Sequence, residues 1–227
     1  AFSVPGFGPV VPGSLVSGTI SRDQKLELLP AGKLVRVRRL EVHGRETAEA
    51  RAGERVSANL AGVELSELAR GMVLASPGSF ATTSRLTVRL ELLTNSPPIR
   101  SGERVSFHHY SAEEPARIRV LDAPFVAPGG SARAQLRLRA PVPASPGDRF
   151  VIRRLSPAET IGGGIVLDPL PPLFSSRLGP EALAALDRLE GPMADPGPQP
   201  VEIYFAALDY ARRLKEARSR YSGTLEI

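Results

Sequence analysis

Short runs in which apolar and polar residues alternate recur between glycine and proline punctuation from Phe2 to Pro169. They include Leu34 to Val42, Arg55 to Leu60, Leu86 to Leu92, Arg104 to His109, Ala116 to Leu121 and Ala132 to Leu138. A period of two predicts strands, and many short strands at regular spacing predict barrels or sandwiches. In VRVRRLEV the alternation turns Val35, Val37 and Leu40 inward and Arg36, Arg38 and Arg39 outward. One irregular step in that run reads as a bulge. The polar stretch Ser76 to Ser84 is the best linker, dividing the β region into two small domains.

After Pro172 the pattern changes. Pro180 suits the first turn of a helix, Ala182 to Leu189 has helical spacing, and Gly191-Pro192 ends it. Val201, Phe205, Leu208, Ala211 and Leu214 recur every three to four residues, predicting a second helix from Val201 to about Arg218; packing of its apolar stripe onto the barrels is favoured over a basic RNA-binding helix built on Arg212, Arg213, Lys215 and Arg218. The expected fold is mainly β, with two consecutive β-barrels followed by a short α-helical C-terminal segment. The boundaries are 1–76 for the first barrel, 77–83 for the linker, 84–172 for the second barrel and 173–227 for the helical extension.

The 227 residues are 42% hydrophobic, and no apolar run approaches the ~20 residues of a membrane span, so a soluble protein without a membrane partner is expected. Cysteine is absent, which excludes disulfides, thiolate catalysis and cysteine-ligated metal, and is compatible with a reducing cytoplasm. The opening AFSVPGFG reads as neither a natural start nor a signal peptide, suggesting a fragment. The formal charge of +5 is carried by arginine, with lysine only at positions 25, 33 and 215. Arginine favours planar, bidentate contact with phosphate, which makes RNA a candidate partner; a solvated basic surface is the alternative.

Gly147 to Pro169, GDRFVIRRLSPAETIGGGIVLDP, reads as a strand from Arg149 to Arg153, a Ser156-Pro157 turn, the glycines Gly162, Gly163 and Gly164, and a strand from Ile165 to Leu167. Three glycines mark backbone that adopts positive φ or passes close to another segment. With neither a Walker lysine nor a following helix, a structural turn is favoured over a phosphate cradle. His108 and His109 are strand neighbours on opposite faces with no third ligand nearby, which disfavours a metal site. One imidazole is expected to pack inward and the other to meet solvent or RNA. Arg85, Arg89, Arg117, Arg119, Arg133, Arg137 and Arg139 have spacings that place several on one sheet face, either a phosphate-positioning surface or an ordinary solvated one.

Four blocks in order, SVPGFGPVVPGSLVSGTI at Ser3 to Ile20, LELLP at Leu26 to Pro30, VRVRRLEVHG at Val35 to Gly44 and ARAGERVSANLAGVELSELARGMVLASPG at Ala50 to Gly78, resemble the second domain of translational GTPases. Together with HHYSAEEPARIRVL at His108 to Leu121 and the closing GDRFVIRRLSPAETIGGG, they resemble the selenocysteine-specific branch, usually called SelB. The resemblance covers about Phe2 to Pro169. Pro5, Pro9 and Pro12 depart from the family pattern and imply an edge strand, bulge or altered loop, and Asp23-Gln24 replaces the usual Gly-Asp turn.

The resemblance implies translation-factor-type barrels that hold the aminoacyl end and acceptor arm of selenocysteinyl-tRNA for delivery to the ribosome in the cytoplasm. It also implies a GTPase domain in the full-length protein, where GTP and magnesium bind. No G-x-x-x-x-G-K-[ST] segment occurs here, so no cofactor and no enzyme activity are expected of this chain itself. By similarity to the general elongation factor, the pocket for the terminal adenosine and amino acid is built around Phe2, Val4, Gly6 and Val10, with Glu41 and His43; without the family match Phe2, Val4 and Val10 read as core residues and His43 as a loop histidine. Arg55 matches an arginine lining the amino-acid pocket in the selenocysteine branch; the plain alternative is an exposed strand arginine paired with Glu54 or Glu49. Rival functions are the barrels of another translational GTPase or related nucleotide-dependent transferase, and a protein-interaction module meeting an acidic partner.

Overall fold

The computed structural model describes residues 2–4, 8–173, 184, 186 and 202–205, with backbone only for 2–4 and 202–205. Two compact units emerge: Ala1–Ser79 with Pro198–Ile227, and Phe80–Gly197. In the first unit the strands are β1 (Phe2–Val4), β2 (Gly8–Ser17), β3 (Thr19–Ser21), β4 (Lys25–Leu29), β5 (Lys33–Val42), β6 (Arg45–Thr47), β7 (Glu49–Arg51), β8 (Arg55–Ala61) and β9 (Val73–Ala75). The second contains β10 (Ala81–Leu92), β11 (Ile99–Arg100), β12 (Arg104–His109), β13 (Ala112–Val120), β14 (Phe125–Val126), β15 (Ser131–Ala144), β16 (Arg149–Arg153) and β17 (Thr160–Asp168). β18 (Glu202–Phe205) returns to the first unit.

The first unit closes on itself. Following antiparallel neighbours from β2 through β18, β9, β4, β5 and β8 leads back to β2. Val11, Leu15, Leu26, Val35, Leu40 and Leu60 fill its interior. The alternation in VRVRRLEV holds: Val35, Val37 and Leu40 are buried while Arg36, Arg38 and Arg39 are exposed. The irregular step is a register shift against β8 between Val37 and Arg39.

β2 is not an edge strand, despite its prolines: it pairs with β8 on one side and with β1 and then β18 on the other. Pro12 falls between the end of the β1 pairing at Val10 and the start of the β18 pairing at Gly13, where a missing N–H interrupts no ladder on that side. Pro5 lies outside the described residues. At the Asp23-Gln24 turn, Asp23 adopts φ 66, which aspartate tolerates, and the Gln24 side chain accepts the Ser21 N–H at 2.9 Å.

Glu202–Phe205 was expected to begin a helix and is instead a strand between β2 and β9. The segment VEIYF satisfies both periods, because Val201, Ile203 and Phe205 also alternate, and β-branched and aromatic residues suit a strand. The rest of that predicted helix, 206–218, lies outside the described residues. So does most of Ala182–Leu189, of which Ala184 and Leu186 are helical and Leu186 is buried.

The second unit is a closed barrel in the order β10-β15-β13-β12-β16-β17 around Leu86, Val88, Leu90, Phe107, Leu136 and Ile152. Of the stretch read as a linker, Ala81–Ser84 belong to β10. The glycine triplet is not a turn. Gly162, Gly163 and Gly164 sit inside β17, which is paired with β10 on one side and β16 on the other. A Cβ on each would lie under 3.0 Å from a backbone carbonyl oxygen, that of Glu91, Phe150 and Arg89 respectively. Glycine is required there by close backbone approach rather than by positive φ.

Gly164→Ala should therefore destabilise the protein by about 3 kcal/mol or more, since rigid backbone cannot yield as a side chain would. Denaturant unfolding followed by circular dichroism checks this, and a loss below about 1 kcal/mol would show that β10 can move aside.

Candidate nucleic-acid interface

On β8 the side chains of Val56, Ala58 and Leu60 fill the first barrel, which leaves Arg55, Ser57 and Asn59 on the outer side. Register then decides which residues share that side. One row runs Phe2, Val10, Asn59, Arg39 across β1, β2, β8 and β5. The next runs Pro12, Ser57, Glu41, and the third pairs Ser14 with Arg55. Phe2, Val10, Glu41 and Arg55 thus occupy positions on one four-strand face, and Val4 shares the parity of Phe2 on β1. Gly6 lies outside the described residues. Val10 is half-buried rather than core.

His43 and Gly44 form the two-residue hairpin between β5 and β6, with φ 52 and 75. Both central residues of such a turn need positive φ, which glycine supplies readily and histidine tolerates. Because Val42 pairs with Val56, His43 and Arg55 stand at the same end of the β5–β8 ladder. Glu41 and Arg55 are diagonal neighbours there, with Cα atoms roughly 7–8 Å apart.

The charges on this face are unevenly matched. Arg39 donates to Glu46 at 2.6 Å and lies 3.9 Å from Glu41. Glu49 is held by the Arg51 guanidinium at 3.1 Å, and the Glu54 carboxylate accepts the Arg51 backbone N–H at 2.7 Å. Arg55 is exposed, and among the described residues no carboxylate lies within 4.0 Å of its guanidinium. The pairing with Glu54 or Glu49 that a plain surface arginine would make is absent from the described residues.

In the second barrel the seven arginines separate by environment. Arg89 and Arg133 are opposite each other, and each has a carboxylate: Arg89 lies 3.7 Å from Glu91 and Arg133 3.2 Å from Asp122. Arg85, Arg137 and Arg117 form a row across β10, β15 and β13, with Arg119 and Arg139 two residues along β13 and β15. Arg104 on β12 extends the row and was not singled out by spacing, because only register reveals it.

His109 is 2% exposed, stacks on Phe107 and bonds Asp148 at 3.1 Å, whereas His108 faces outward 3.9 Å from Glu113. Among the described residues no group of three or more histidine, aspartate or glutamate side chains is placed to hold a metal ion.

Comparison with known proteins adds the lineage. Residues 8–75 match the family described as elongation factor Tu domain 2, and residues 83–173 match the selenocysteine-specific elongation factor, beta-barrel domain. A selenocysteine-specific elongation factor from Desulfomicrobium baculatum is 39% identical over 170 residues, 74% of this chain and 27% of that protein. The chain belongs to the family of selenocysteine-specific elongation factors. The selenocysteine-specific elongation factor of Escherichia coli (strain K12) is 29% identical over 93% of this chain and 33% of its own length. This chain therefore spans about a third or less of these two selenocysteine-specific elongation factors. A solved structure of sup35 complexed with GDP superposes with a TM-score of 0.65 at 20% identity, covering 72% of this chain and 45% of that one, which shows the shared fold.

An exposed Arg55 with no ion pair among the described residues should be dispensable for folding. Arg55→Ala should change unfolding free energy by less than about 0.5 kcal/mol, against about 2–5 kcal/mol for Leu60→Ala in the core. Paired denaturation curves check both, and a large loss at Arg55 would make it a structural residue.

Proposed function

We propose that the outer face of the first barrel holds the aminoacylated end of selenocysteinyl-tRNA, so that this chain serves delivery to the ribosome during UGA recoding in the cytoplasm. The observation that carries the reading is Arg55, exposed and without an ion pair among the described residues on the face that also carries Val10 and Glu41. A selenol is more acidic than a thiol and is anionic at neutral pH, whereas the hydroxyl of serine is neutral. A guanidinium not already engaged by a carboxylate is available to meet that selenolate. A charge-assisted hydrogen bond contributes roughly 1.5–3 kcal/mol against about 1 kcal/mol for a neutral one, enough for about tenfold discrimination.

The other positions complete the contact. Phe2, Val4 and Val10 supply apolar surface for the terminal base, and Gly6 admits backbone close to the nucleotide. Glu41 accepts from ribose hydroxyls or the exocyclic amine, and His43, lifted on its hairpin tip, borders the Arg55 end. GTP and magnesium belong to a different domain of the full-length protein. The triplet Gly162–Gly164 cannot cradle phosphate, because neighbouring backbone carbonyls already crowd all three positions.

Equilibrium binding of the full-length protein to selenocysteinyl-tRNA and to seryl-tRNA tests this. Arg55→Ala should lower the preference for selenocysteine by about tenfold, with little change for serine. An unchanged ratio would remove Arg55 from the amino-acid pocket.

A further inference from the structure

Glu41 faces a like charge. On the outer side of the first barrel its direct partner on β6 is Glu46, while its partner on β8 is Ser57. Like charges directly opposite one another destabilise a sheet, and a cation set between them offsets the repulsion. Arg39 supplies that cation. It precedes Glu41 by two residues on β5, hence on the same side of the strand. Its Nη2 donates to Glu46 Oε2 at 2.6 Å and its Nε lies 3.9 Å from Glu41 Oε1, a Coulombic contact rather than a hydrogen bond. Arg22 Nη1 approaches Glu46 Oε1 to 3.8 Å, so the acidic pair lies beside two guanidinium groups.

Glu41 is also the carboxylate placed to neutralise Arg55. Among the cross-strand rows of this face it is the acidic member, and it stands diagonally across β5 and β8 from Arg55. A diagonal of roughly 7–8 Å between Cα atoms is within reach of two long side chains. Yet no ion pair forms with Arg55 among the described residues. Glu49 and Glu54 are both engaged at Arg51, and Glu41 lies beside Arg39 instead.

We infer that Arg39 is a positioning residue for selenocysteine recognition: by holding the Glu41 carboxylate on the β6 side, it leaves Arg55 open to the selenolate. The inference rests on the reading of Arg55 as the amino-acid contact, and it adds the residue on which the availability of that guanidinium depends. Without Arg39, Glu41 relieves its repulsion from Glu46 by pairing with Arg55. A carboxylate there repels the selenolate and must be displaced before the selenolate binds. The neutral hydroxyl of serine makes no comparable demand on the guanidinium. The effect therefore falls on the ratio of the two affinities and not on their common magnitude.

The test measures equilibrium binding of the full-length protein to selenocysteinyl-tRNA and to seryl-tRNA. Arg39→Gln should lower the preference for selenocysteine by about two- to fivefold, the size of one exposed ion pair gained at Arg55. Adding Glu41→Gln to that variant should restore the parent ratio, whatever it does to affinity for both tRNAs, because the competing carboxylate is gone. Arg39→Lys keeps a cation beside Glu41 and Glu46 and should hold the parent ratio. Arg36→Gln, which removes the same charge from the same strand at a residue paired with Asp23, should hold it too. Arg39→Met retains the aliphatic stem over the sheet and gives the same readout should the glutamine variant fold poorly. An unchanged ratio in Arg39→Gln, a fall that Glu41→Gln does not reverse, or an equal fall in Arg36→Gln would overturn the inference. If Arg55→Ala lowers the ratio and Arg39→Gln does not, the positioning role alone is lost; if Arg55→Ala leaves the ratio unchanged, the pocket reading and this inference fall together.

Discussion

The second barrel depends on a steric constraint at one strand. β17 must lie between β10 and β16 closely enough to hydrogen-bond with both, and the space this leaves beside positions 162, 163 and 164 admits no Cβ. With glycine there, the ring of six strands closes and the barrel has no open edge, which removes the hazard of pairing with another chain. Closure also fixes β10 in register with β15, and through β15 fixes β13 and β12. The line of Arg85, Arg137, Arg117 and Arg104 follows from that chain of registers, since residues 52 positions apart at the extremes of their span meet only because four strands are pinned side by side.

The first barrel applies the same alternation to a different end. Its inward positions on β8 are filled by Val56, Ala58 and Leu60, so the intervening Arg55, Ser57 and Asn59 carry no packing duty toward the barrel interior. Chemistry can be placed on them at little cost to stability. Asn59 illustrates the structural use of such a position, its amide donating to the Pro9 carbonyl at 3.3 Å. Arg55 illustrates the other, a guanidinium whose acidic neighbours Glu49 and Glu54 both attend to Arg51.

Much of this was legible in the sequence because strands with one buried face write their period into the side chains. Arg104–His109 and Arg149–Arg153 fall where the alternation put them, and the step in VRVRRLEV is a real register shift. The failures have physical causes. Glycine carries no side chain to show periodicity, so Gly162–Gly164 read as a turn although they form the interior of a strand. VEIYF fits both a helix and a strand over five residues, and the vacancy between β2 and β9 that decides the matter exists only in three dimensions. The prolines of β2 suggested an edge strand, a bulge or an altered loop; the edge is excluded, because pairing on that flank is shared by two short strands with a gap at Pro12. The arginine row was hidden for a related reason: spacing along a chain says which face a residue takes, whereas cross-strand register says which residues become neighbours.

β18 gives the chain an unusual order of completion. The first unit is translated first, yet the strand that fills its ring between β2 and β9 lies at Glu202–Phe205, after the whole of the second barrel. At synthesis rates of about 5–20 residues per second, a nascent chain waits roughly 6–25 s between emergence of β9 and arrival of its last neighbour. During that interval the flanks of β2 and β9 are open backbone, and the second barrel has time to form ahead of the unit that precedes it.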